Sequence, residues 1–174
     1  SAVPKGVDKS MRQFDQEEAE RLVNAYSDLI LRLSYTYLKS THDAEDICQT
    51  VFLKLLTGGQ AFDSPAHEKA WIIRAAANAC KDLLRSAGRR RTVGLEAVAE
   101  APAPESPESC VLDAVMALPD KYREAVYLYY YEGYSAREIG ALLGRSEAAV
   151  NAHLSRGRNR LRIMLGGECC EHGV

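Results

Sequence analysis

Residues 134–165 read YSAREIGALLGRSEAAVNAHLSRGRNRLRIML. Ser135 can cap a first helix, and Glu138, three residues on, supplies the other half of a capping box. Ile139, Leu142 and Leu143 then recur at helical spacing and give that helix an apolar face. Gly144 follows as a stop, because a left-handed residue costs least at glycine. Ser146 caps a second helix. Its free N–H groups and positive dipole end suit a phosphate. At about 100° per residue, Val150, Leu154, Leu161 and Leu165 fall on the inner side of that helix. Ala148, Ala152, Ser155 and Asn159 fall opposite, flanked by Asn151, Arg156 and Arg162. Small residues at the capped end and arginines further on suit entry into a DNA major groove. The stretch is therefore read as a helix-turn-helix.

The whole chain of 174 residues has room for one large domain or two small ones. Its formal net charge of −2 excludes a uniformly basic nucleic-acid binder. Any DNA contact must come from local patches, such as Arg89, Arg90 and Arg91 or the arginines after Ser155. No apolar run is long enough to span a membrane, and no signal-peptide pattern occurs. The cysteines form no CxxC framework; Cys48 and Cys80 read as small buried residues in a reducing cytosol. Cys169, Cys170 and His172 in the tail could bind a metal, but adjacent cysteines in a tail more often do nothing structural, and no metal or other cofactor is expected.

Before this stretch the chain is helical with one interruption. Residues 1–10, SAVPKGVDKS, lack apolar periodicity and read as an appended remnant ahead of a native start at Met11. From Gln16 to Lys39, Ala19, Leu22, Val23, Tyr26, Leu29, Ile30, Leu33 and Tyr37 form a wide apolar face. This is one long helix or two with a bend near Tyr26 and Ser27. Thr41 or Asp43 starts the next helix, with Ile47, Cys48, Val51, Phe52 and Leu55 inside. Its other side carries Asp46, Gln49, Thr50 and Leu53, either a solvated face or a docking face that includes one exposed leucine. Gly58 and Gly59 end it. After a loop, Pro65 stands at or just before a third helix. Trp71, Ile72, Ala75, Ala79 and Leu83 form its expected inner stripe; Arg74, Asn78, Lys81 and Arg85 face outward. Gly88 is expected to stop it.

Residues 92–109 lose helical register and are rich in proline, alanine and glutamate, with no lysine or arginine. They read as an acidic linker, either a solubilising tether or a mimic of nucleic acid. Helices resume at Val111, turn at Leu118 and Pro119, and continue through DKYREAVYLYYYEGY. There Ala125, Val126, Leu128, Tyr129 and Tyr130 are expected to pack around the helix-turn-helix. Residues 166–174 read as a flexible tail. The expected organisation is all-α, with helical domains at 11–91 and 110–165. No strand pattern, repeat or catalytic constellation occurs, so an enzyme is not expected.

Three stretches carry a family resemblance. Asp43–Leu55, DAEDICQTVFLKL, resembles the polymerase-binding helix of the extracytoplasmic-function (ECF) sigma factors of the bacterial sigma-70 family. Ala70–Arg85, AWIIRAAANACKDLLR, resembles their promoter-melting helix. Leu118–Arg162 resembles their C-terminal domain. The resemblance implies a sigma region 2 bundle and a sigma region 4 helix-turn-helix. The protein would bind core RNA polymerase through its β and β′ subunits, and it would direct recognition of the −10 and −35 promoter elements. Asp43, Asp46, Gln49 and Leu53 would dock on β′. Phe62, Asp63, His67, Arg74, Asn78, Lys81 and Arg85 would meet −10 DNA. Ser146, Asn151, Ala152, Ser155, Arg156 and Arg160 would meet −35 DNA. An anti-sigma factor would restrain the protein, which would be cytoplasmic. Ala77, Asn151, His153 and the Cys-Cys-Glu-His tail depart from the family pattern. The rival reading is a polymerase-independent helix-turn-helix regulator.

Overall fold

A computed structural model describes residues 16–91 and 107–168, without the side chains at 89–91, 107–109 and 167–168. The linker residues 92–106 and the termini, including Cys169, Cys170 and His172, lie outside the described residues. Within them the fold is helical throughout, with no strand.

Helix α1 (Gln16–Leu38) runs unbroken through Tyr26 and Ser27. It buries Leu22, Tyr26, Leu29, Ile30, Leu33 and Tyr37, while Val23, expected on that face, is exposed. Lys39 ends it in a left-handed conformation, φ 56°, the position where glycine is more usual. Ser40 is the true cap of α2 (Thr41–Thr57), its hydroxyl accepting from the Asp43 N–H at 3.2 Å. Ile47, Val51 and Leu55 are buried against α1, as the helical period requires.

Helix α3 (Pro65–Arg91) differs from expectation in two ways. Its buried stripe is Ile72, Ile73, Ala76, Ala77, Ala79 and Cys80; Leu83 is exposed, and Trp71 and Ala75 are only half-buried. Alanine contributes so little contrast that a run such as AAANA does not define a face. Gly88 also does not stop the helix. It keeps ordinary helical dihedrals, and a glycine inside a helix costs only about 1 kcal/mol, too little to end one by itself. Helices α1, α2 and α3 pack as a bundle around Ile30, Leu33, Val51, Leu55, Ile72 and Ile73. Each such side chain contributes roughly 1.5–3 kcal/mol when fully buried.

The second unit begins earlier than expected: α4 (Pro107–Met116) already includes the last residues assigned to the linker. Proline suits the first helical position, where its missing N–H is not needed. Leu118 and Pro119 form the turn into α5 (Asp120–Val126). The buried Arg123 guanidinium donates to Met116 O at 2.8 Å and Leu118 O at 3.0 Å, satisfying carbonyls at the end of α4. A π-turn (Tyr127–Tyr131) continues α5, with the Glu132 N–H donating to Tyr127 O at 3.3 Å. The structure corrects the expectation for its tyrosines. Leu128 is buried, but Tyr129, Tyr130 and Tyr131 are exposed and do not pack inside the helix-turn-helix.

Helix α6 (Ala136–Leu143) and α7 (Glu147–Glu168) form the helix-turn-helix. The capping box is present: Ser135 Oγ accepts from the Glu138 N–H at 3.2 Å, and Glu138 Oε2 accepts from the Ser135 N–H at 2.8 Å. Gly144 is left-handed at φ 67°. Ile139, Leu142, Val150 and Leu154 close the core with Leu118, Tyr122, Ala125 and Leu128. Helix α7 runs on through Gly166 and Gly167, so residues 166–168 are not part of a tail.

Candidate nucleic-acid interface

The polar face of α2 is continuous. Asp46, Gln49, Thr50 and Leu53 are all exposed, and Asp43 is half-buried in the first turn. Steps of three and four residues keep 43, 46, 50 and 53 on one side. Leu53 is 63 % exposed on this otherwise polar face. Asp46 has only a loose partner, His42 Nε2 at 3.8 Å, and both side chains are largely exposed.

The loop before α3 presents a small aromatic group. Phe62 is half-buried, with its ring centroid 5.5 Å from His67 and 5.9 Å from Trp71. His67 lies in the first turn of α3, not in the loop, and its Nδ1 accepts from the Asp63 N–H at 3.3 Å. Ser64 caps the helix by accepting from the His67 N–H at 3.1 Å. Along α3, Arg74, Asn78, Lys81 and Arg85 recur at steps of four, three and four. Arg74, Asn78 and Arg85 are exposed, Arg85 in a pair with Asp82. Lys81 is half-buried and engaged: its Nζ lies 3.5 Å from Glu124 and 5.8 Å from the centre of the Tyr37 ring. Ala77 is 1 % exposed, so this position faces the core and does not face DNA.

On α7, Ser146 Oγ accepts from the Ala149 N–H at 3.1 Å. Asn151, Ser155, Arg156 and Arg160 are exposed; Ala152 is half-buried at the edge of the face. The Arg160 guanidinium lies 5.5 Å from the Tyr122 ring centre, a cation–π placement that orients it. Arg158 is held on the opposite edge, donating to the Tyr130 hydroxyl at 3.2 Å. His153 turns inward, with its ring 5.6 Å from Tyr122. Burial and then the neighbouring Arg145 and Lys121 charges hold its pKa below the ordinary histidine value. Its ring packs against Tyr122 and does not lie on the outer face with Asn151 and Ser155.

Two determinants had no signal in the sequence pattern. Gly140 lies where an added Cβ would stand 2.5 Å from Arg145 O, so the turn between α6 and α7 closes only over glycine. Glu124, 1 % exposed, meets residues as distant as Tyr37, 87 positions earlier. No local periodicity reports such a pairing.

Two family descriptions match the chain in order. Sigma-70 region 2 matches residues 22–90, and sigma-70 region 4 matches residues 108–161. The chain belongs to the sigma-70 family. Within it, the chain is a member of the ECF group. It is 30 % identical to the ECF RNA polymerase sigma factor SigW of Bacillus subtilis, over 90 % of this chain and 94 % of that protein. It is 34 % identical to the ECF RNA polymerase sigma factor SigE of Mycolicibacterium smegmatis, over 87 % of this chain and 63 % of that protein. Its fold is similar to that of the sigma factor RpoE in a co-crystal structure with the anti-sigma factor NepR from Bartonella quintana. That match has a TM-score of 0.71 and 23 % identity, covering 87 % of this chain and 99 % of that one.

Proposed function

We infer that this protein is an ECF-type RNA polymerase sigma factor, a dissociable subunit that binds core polymerase and directs initiation at promoters with −10 and −35 elements. The observation that carries this is the ordered pair of family regions, 22–90 and 108–161, on one chain. A polymerase-independent regulator would have no use for region 2. The protein acts by binding and not by catalysis, and it works in the cytoplasm. No helix among the described residues is long and apolar enough to cross a membrane.

The side chains divide the work as follows. Asp43, Asp46, Gln49 and Leu53 dock on the β′ subunit. The exposure of Leu53 supports this, because an apolar side chain in water gains by being covered. Phe62, Asp63 and His67 receive a base from the melted −10 element, and Arg74, Asn78, Lys81 and Arg85 hold its backbone. Ser146 and the N-terminal turns of α7 enter the −35 major groove, with Asn151 and Ser155 toward base edges and Arg156 and Arg160 toward phosphates. The domain limits are 11–91 and 110–165, with the first turn of α4 and the last turn of α7 added to the second unit. The RpoE relative was crystallised with an anti-sigma factor, and this chain is assigned a partner of the same kind. The test is reconstituted run-off transcription: the chain plus core polymerase should start transcripts at defined genomic sites, and core polymerase alone should not.

A further inference from the structure

Helix α7 meets α5 at a glycine. Gly157 is buried, and a Cβ added there would stand 3.0 Å from Val126 Cγ2 and 3.5 Å from Tyr122 Cβ. The α7 backbone therefore lies directly on α5 side chains. Tyr122, Val126 and Tyr130 follow one another at steps of four, so a tyrosine stands one turn to either side of Val126. Each tyrosine meets an arginine of α7. The Tyr122 ring centre lies 5.5 Å from the Arg160 guanidinium. The Tyr130 hydroxyl accepts from Arg158 Nη1 at 3.2 Å. Both rings are braced in turn, Tyr122 by the His153 ring and Tyr130 by an edge-to-face contact with Tyr129, centroids 4.9 Å apart.

The two arginines occupy matching places on the helix. Val150, Leu154 and Gly157 are buried and mark its inward side. At about 100° per residue, Arg158 and Arg160 lie roughly 80° to either side of that line. Between them, facing outward, come Asn151, Ser155 and Asn159, all exposed. A helix in a major groove has base edges before its outward face and a phosphate wall along each side. An arginine loose in solvent gives up rotamer freedom when it grips a phosphate; one already held gives up less. A tyrosine also orients without neutralising. A carboxylate in either place would cancel the charge that the phosphate attracts, whereas a ring face or a phenol oxygen leaves it, with most of the five N–H donors still available.

We propose that Tyr122 and Tyr130 are positioning residues for −35 binding: they aim Arg160 and Arg158 at opposite phosphate walls, and Arg158 thereby joins the DNA contacts of α7. This rests on the sigma-factor reading above and adds to it residues that act through the arginines. Gly157 makes the arrangement possible, because only a residue without a side chain lets α7 settle low enough on α5 for both tyrosines to reach.

The test measures binding of the holoenzyme, the full chain on core polymerase, to duplex DNA randomised at the −35 positions, at several salt concentrations. The variants are Tyr130→Phe, Tyr122→Leu and Tyr122→Phe, with Arg158→Ala and Arg160→Ala alone and paired with their tyrosine changes. Circular dichroism checks folding. Tyr130→Phe removes one oxygen from a side chain that is 57 % exposed. It should weaken binding to all −35 sequences alike, by about three- to tenfold, the range for one pre-ordered side chain. Its salt slope should fall by less than the roughly 1 that Arg158→Ala removes. In the Arg158→Ala background the same change should do nothing further, because the tyrosine acts only through the arginine. Tyr122→Leu should behave likewise with Arg160, and Tyr122→Phe, which keeps the ring, should restore the loss. If Tyr122→Leu does not fold, the cycle of Tyr130 and Arg158 decides alone. Unchanged binding by Tyr130→Phe, additive losses in the double variants, or a reordered library overturns the proposal while the sigma-factor reading stands. Wild-type holoenzyme that selects no −35 sequence overturns that reading and the proposal with it.

Discussion

The Tyr26 hydroxyl donates to Glu68 Oε1 at 2.7 Å, tying α1 to the first turn of α3. Arg21 completes the site with a fork, Nη1 to Oε1 at 3.1 Å and Nη2 to Oε2 at 3.0 Å. Glu68 is 8 % exposed, so the carboxylate has left water and depends on these donors. Burial alone would push its pKa up. The hydrogen bonds from Arg21 and Tyr26 outweigh burial and hold it below the ordinary 4.5. A carboxyl lowered on folding contributes stability that is complete above its unfolded pKa and is lost as pH falls through the folded value. Glu68→Gln should therefore destabilise the protein by roughly 1–3 kcal/mol at neutral pH. That difference should shrink as the pH drops below about 4.5. Thermal unfolding of both proteins across pH 3 to 7 checks it; a gap that stays constant with pH would exclude the charged carboxylate as the cause.

The α2 face makes a sharper functional test. Asp46→Arg combined with Leu53→Glu changes two exposed side chains and touches no buried one. Core polymerase binding should be abolished while the helical circular dichroism persists. Unchanged affinity would remove the docking assignment.

Glycine substitutions test the backbone. Gly140→Ala drives a Cβ to within 2.5 Å of Arg145 O, a backbone atom that cannot swing away. It should destabilise by about 1–3 kcal/mol, as overpacking does, and weaken −35 binding with it. Gly88→Ala should do the opposite. Its Cβ meets nothing within 4 Å and the helix continues through it, so a gain of about 0.5–1 kcal/mol is expected. Chemical denaturation measures both; a destabilising Gly88→Ala would mean that the helix ends there after all.

The α7 residues separate affinity from sequence choice. Arg160→Ala should weaken binding to all −35 sequences alike and reduce the salt slope by roughly 1, as loss of a phosphate contact does. Asn151→Ala should reorder the −35 sequences, at about 1–3 kcal/mol for a lost base contact. The measurement is binding of the polymerase holoenzyme to a −35 library at several salt concentrations. If Arg160→Ala reorders the library and Asn151→Ala does not, the register of α7 in the groove is wrong.

The helix-turn-helix was legible because each of its signals is local. Ser135 and Glu138 cap each other, Gly144 takes the left-handed turn and Ser146 caps α7, all within twelve residues. Exposure of Asp46 and Leu53 followed from helical period for the same reason. The α3 stripe was less legible because its middle is alanine, and placing Leu83 inside set the face slightly off. Gly88 reads as a stop, and residues 166–174 as a tail, because the sequence shows a glycine but not its dihedrals. The position of His153 against Tyr122 and the partners of Glu124 depend on how separate helices meet, which no stretch of sequence records alone.

The π-turn at Tyr127–Tyr131 sets the rotation between α5 and the helices that follow it. A turn of this kind holds one residue more than the α-helix around it. Each residue advances an α-helix by about 100°. Deleting one of Tyr129, Tyr130 or Tyr131 would return the segment to plain α-helix and swing α6 and α7 about the α5 axis by more than a quarter turn. The heading of the helix-turn-helix relative to α5 therefore depends on that one residue of chain, while every exposed side chain on α7 stays the same.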